Sequence, residues 1–175
     1  MEELESAVVK KLVFIILAVV LYACNVGCGA PDAPQDDTPD VTREPLTLAE
    51  ITETIMESAD FPAMITYTEQ SDIEMLLPNI NFDDIEEIVL IQQAMTVHLI
   101  EVIVIKPADG KAREVLDFLR ERQKTLKEQL AFYPAQVLSA EASVIESWGG
   151  IIFLICHEEA KEIRNTVCDT YNYYP

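Results

Sequence analysis

Apolar positions recur along the chain at two spacings, and their alternation lays out a domain from Leu46 to the C-terminus. Leu48, Ile51, Ile55 and Ala59 sit at helical intervals behind the capping-box sequence Thr47-Leu48-Ala49-Glu50, and Phe61-Pro62 closes that helix. Ser71-Asp72-Ile73-Glu74 reads as a second capping box, opening a short helix that stops before Pro78. Ile88–Ile91 and Leu99–Ile105 are β-branched runs. The second is broken only by Glu101, so it is expected to be a central strand covered on both faces. The short link from Gln92 to Val97 suits an antiparallel hairpin. Asp109 is the expected N-cap of a long helix whose stripe runs Ala112, Val115, Leu116, Leu119, Leu126 and Leu130, ending near Phe132 before Pro134. Val144–Trp148 and Ile151–Ile155 flank Gly149-Gly150, a pair that tolerates the positive φ angles of a type I′ turn. Ala160, Ile163, Val167 and Tyr171 mark the inner face of a last helix. The expected fold is α+β: a four-stranded antiparallel sheet in two hairpins with helices packed on it, in the order ααββαββα.

Ahead of this domain the pattern changes twice. Lys10 and Lys11 precede thirteen uncharged residues, Leu12 to Cys24. That fits a secretory hydrophobic region of about 7–15 residues and is short for a spanning helix of about 20. It ends Leu21-Tyr22-Ala23-Cys24, which resembles the lipobox of bacterial lipoproteins, with an aliphatic residue three before the cysteine and a small one just before it. The resemblance implies cleavage before Cys24 and diacylglycerol on its sulfur. Cys28, after Gly27, is the alternative lipidation site, and an uncleaved anchor is the third reading. Glu2, Glu3 and Glu5 make the start acidic, and initiation at Val8 or Val9 would give a short basic leader. Residues 30–45 hold Pro31, Pro34, Pro39 and Pro45 among Asp32, Asp36, Asp37 and Asp40, a composition that extends the chain and denies it regular structure. The expected organisation is a signal peptide over 1–23, an acidic proline-rich tether over 24–45 and a globular α+β domain over 46–175.

Charge narrows the classes of function. The chain of 175 residues carries a formal net charge of −19, which repels nucleic-acid phosphates and disfavours nucleic-acid partners. Seven of its twelve basic residues fall between Lys106 and Lys127, while Asp32 to Glu101 holds a single base, Arg43. That cationic helix reads either as a docking face for an acidic partner or as a solvated face paired locally by Glu114, Asp117, Glu121 and Glu128; the interleaved acids favour the second.

No constellation for catalysis emerges. His157-Glu158-Glu159-Ala160-Lys161 begins like a zinc-protease helix, yet Lys161 stands where the second histidine is required. His98 opens a strand without a histidine partner. Asp83, Asp84, Glu86 and Glu87 lack the mid-loop glycine of a calcium loop and read as a solvated turn. Cys156 and Cys168 read as buried small hydrophobes, with a disulfide between them geometrically open. Tyr171, Tyr173 and Tyr174 form either a docking tip or a frayed tail. No catalytic, cofactor-binding or metal residue is therefore assigned, and no cofactor is expected.

Several short motifs point to a family. Val104-Ile105-Lys106 followed by Asp109, then Arg122-Gln123, Phe132-Tyr133-Pro134 and Ala142-Ser143-Val144 ahead of the glycine turn resemble the extracytoplasmic lipoprotein family called domain of unknown function 4358. The resemblance implies a lipid-anchored envelope protein with a C-terminal α/β domain and implies no reaction. The expected function is a binding or interaction domain, not an enzyme. It is expected to be held through N-terminal diacylglycerol at the extracytoplasmic face of the cell membrane, with a protein or cell-wall component as the expected partner. An envelope enzyme whose carboxylates converge only in three dimensions, or an accessory subunit of a membrane complex, are the alternatives.

Overall fold

The computed structural model describes residues 46–95 and 98–171. Cys24, Cys28 and the stretches expected to be signal peptide and tether lie outside the described residues. Among the described residues five α-helices and five strands follow in the order α1 (Leu48–Glu57), β1 (Met64–Tyr67), α2 (Gln70–Leu76), β2 (Ile85–Gln93), β3 (Glu101–Pro107), α3 (Ala112–Thr125), α4 (Pro134–Ala142), β4 (Val144–Trp148), β5 (Ile151–Cys156) and α5 (Ala160–Thr170). A 3₁₀ turn at Phe82–Asp84 leads into β2, and α3 continues as a π-helical turn over Leu126–Leu130.

All pairings are antiparallel, in the order β1-β2-β3-β5-β4. The α+β class and the antiparallel hairpins stand, but the expected four strands and the order ααββαββα do not. The fifth strand is β1, paired from Met64 opposite Gln93 to Tyr67 opposite Leu90. It is four residues long and lies on an edge, with its middle residues Ile65 and Thr66 exposed, so neither face imposes a clear alternation. The second omission is α4. Pro134 reads as a stop for the preceding helix, and it is one, but proline is equally suited to the first turn of a new helix, where its missing N–H costs nothing.

β3 occupies the centre, and Glu101–Ile105 are all buried. Alternate residues feed two cores. Ile103 and Ile105 join Leu90, Ile152 and Leu154 under Ile73 of α2 and Val115, Leu119 and Leu126 of the α3 region. Val102 and Val104 join Ile91, Phe153 and Ile155 under Leu48, Ile51 and Ile55 of α1 and Ala160, Ile163 and Val167 of α5. The capping box at Thr47 forms as expected, with the hydroxyl accepting from the Glu50 amide and the Glu50 carboxylate accepting from the Thr47 amide. Helix α2 instead starts one residue earlier than Ser71, behind Glu69, without a side-chain cap. Asp109 is not a cap; Lys111 holds the N-cap position of α3, and Ala112 is exposed, outside the buried stripe. Gly149 and Gly150 adopt φ of +58° and +82°, as the I′ turn requires.

Candidate functional site

Three features carry chemistry or recognition. The first is a polar row across the sheet. Gln92, Glu101 and Cys156 are cross-strand neighbours on β2, β3 and β5, and all face α3. Glu101 is buried, and Arg122 descends on it from α3 with two hydrogen bonds, Nε to Oε1 at 2.8 Å and Nη2 to Oε2 at 2.6 Å. Gln92 Nε2 donates to Oε2 at 2.7 Å. Burial works against the Arg122 charge, but the hydrogen-bonded carboxylate outweighs it and holds the guanidinium above its ordinary pKa. Beside this pair, burial and the Glu101 carboxylate push the Cys156 thiol up to about 12, and its Sγ donates to the Leu99 carbonyl at 3.2 Å. A thiol so protonated is no nucleophile at neutral pH. The row is sealed by saturated partners and serves to lock α3 onto the sheet.

The second feature brings together the chain's two histidines. His98 and His157 line a cleft of about 210 Å³ with Asp60, Phe61, Pro62, Ile100 and Glu158. His157 is buried against the Phe61 ring at 4.9 Å, and its Nδ1 accepts from the Glu159 amide, so Nε2 carries the proton of the neutral ring. Burial holds its pKa below 6.5 despite the nearby Glu159 and Glu158. Asp60 and Glu158 are both exposed. Among the described residues no group of three histidine, cysteine or acidic side chains is arranged to hold a metal ion.

The third feature is the outer face of α4 and the two residues before it. Gln136, Ser139 and Ala140 turn inward, and the Gln136 Oε1 accepts from the Phe132 and Tyr133 amides at 3.0 and 3.2 Å. The helix thus meets the domain through small and polar residues, while its large apolar ones point away: Phe132 is 78% exposed, Tyr133 65%, Leu138 60% and Val137 42%. This inverts the usual amphipathic order, in which large apolar side chains face the core.

The remaining candidates resolve into structural roles. On the cationic stretch, Lys106, Lys111, Arg113, Arg120 and Lys124 each lie within 4.0 Å of a carboxylate, consistent with a locally paired surface. Two of the four turn acids belong to it: Asp84 meets Lys111 at 2.7 Å and Glu86 meets Lys106 at 2.6 Å. Cys156 and Cys168 are both free and buried; Cys156 faces α3, whereas Cys168 rides on α5 across the sheet, which rules out a bond between them. Tyr171 stacks on Trp148 at 5.2 Å, and its hydroxyl lies 2.8 Å from Thr54 Oγ1 and donates to the Glu50 carbonyl at 3.1 Å, so it ties α5 to α1. Tyr173 and Tyr174 lie outside the described residues. Sequence reasoning missed the Glu101–Arg122 pair and the α4 face. A lone acid in an apolar run was the signal for the first; Val137-Leu138 beside Phe132-Tyr133 was the signal for the second.

No curated protein and no solved structure matches the chain. The profile of the family described as Domain of unknown function (DUF4358) matches residues 57–157, from the end of α1 through β5.

Proposed function

Starting from the premise that the chain belongs to the DUF4358 family, whose description assigns no reaction, we propose that it is a lipid-anchored interaction domain at the extracytoplasmic face of a bacterial cell membrane. Leu21-Tyr22-Ala23-Cys24 supports the anchor, with Cys28 the alternative acylation site, and the acidic proline-rich segment up to Pro45 supports a spacer. The observation that carries the interaction role is the outward apolar face of α4, because four large side chains left in water are a recognition surface when the helix below them is docked by small ones. The histidine cleft supports binding rather than turnover: its carboxylates are exposed, and its one buried titratable group is a histidine held neutral.

Expression of the full chain with labelled palmitate tests the anchor. Label is expected on the wild type and absent from Cys24→Ala. Label retained by Cys24→Ala and lost from Cys28→Ala moves the anchor to Cys28; no label on any form removes the anchor.

A further inference from the structure

We propose that the outer face of α4 docks on the lipid bilayer itself, at the depth of the headgroups, a contact that rests on the anchored reading above. Phe132, Tyr133, Val137 and Leu138 together expose on the order of 450 Å² of largely apolar side chain, given about 150–250 Å² for a whole aromatic. A stable complex with a second copy or another protein buries about 800 Å² on each partner, so this face alone is too small for one. A tethered domain needs much less. Residues 24–45 reach about 75 Å at full extension, several times the roughly 14 Å radius of gyration expected for a domain of this size. The bilayer is therefore within reach of any face at high effective concentration, and a weak contact is populated.

Charge selects this face over others. The chain at −19 is repelled by anionic lipid, so contact has to come where acids are missing. From Gln129 to Ala140 there is no Asp, Glu, Lys or Arg, and Glu141 is the first acid beyond it. Tyrosine and phenylalanine at the start of the helix, followed by Val137 and Leu138 one turn on, match the amphipathic and apolar levels of an interface.

The test uses the full chain, purified acylated from bacterial membranes and reconstituted in phosphatidylcholine vesicles with or without bromine on the acyl chains. Tyr133→Trp supplies a reporter, Leu138→Trp an independent second one, and the parent chain gives the Trp148 background. The expected result is a blue shift and a loss of the added emission in brominated vesicles, abolished when Phe132→Ser is combined with Tyr133→Trp. A chain that floats with the vesicles while neither reporter is quenched overturns the docking and leaves the anchor intact. A chain that does not float overturns the anchor and the docking with it. A blue shift without bromine quenching, seen only when membrane-protein extract is added, overturns the lipid contact in favour of a protein partner.

Discussion

Arg122→Met removes two of the three hydrogen bonds to Glu101 and leaves a carboxylate that is 2% exposed with Gln92 as its remaining side-chain partner. Glu101 is buried and Arg122 largely covered, with side-chain exposures of 3% and 12%, so solvent screening does little to soften the loss. Breaking a buried pair in this way costs about 3–5 kcal/mol. A domain of this size has a urea slope of about 2 kcal/mol per molar, so the unfolding midpoint should fall by about 2 M. The matching double variant, Glu101→Leu with Arg122→Met, removes the stranded charge. It is expected within about 1 kcal/mol of the parent, because apolar side chains of similar volume replace a buried pair at little net cost. Urea unfolding followed by circular dichroism on the parent, both single variants and the double variant closes the cycle. A midpoint shift under about 0.5 M for Arg122→Met, the behaviour of a surface pair worth about 1 kcal/mol or less, would refute the reasoning.

With its thiol at about 12, Cys156 should hold about a thousandfold less thiolate than an ordinary cysteine of pKa 9.0, so peptide-resolved alkylation at pH 8 should label it only after unfolding. Burial lowers the folded pKa of His157, so the unfolded chain takes up its proton first; stability is full above pH 6.5 and is lost as pH falls through the folded value. His157→Gln should flatten that slope between pH 7 and 5 in thermal unfolding. Gly150→Ala meets no atom within 4 Å but retains φ of +82°, so its cost is backbone strain alone, about 1–2 kcal/mol by chemical denaturation.

Legibility in the sequence followed the clarity of local periodicity. The β4–β5 hairpin was readable because Gly149-Gly150 separates two apolar runs, and β3 because both of its faces are buried. The inner face of α5 was readable because Ala160, Ile163 and Val167 keep helical spacing into one core. Edge strand β1 was not, since an edge leaves Ile65 and Thr66 outside and erases the alternation. Nor was α4, whose large residues point outward and whose buried ones, Gln136, Ser139 and Ala140, are small or polar. The partner of Glu101 was hidden for another reason: seven cations occupy Lys106–Lys127, and only the descent of α3 onto the polar row singles out Arg122. The surface proposed for docking is thus the one whose pattern contradicts the rule used to find helices.

The most direct test is the intact mass of the protein as extracted from bacterial membranes. A chain beginning at Cys24 and heavier by a diacylglycerol is the expected result. A product that retains Met1 with every thiol unmodified would contradict it.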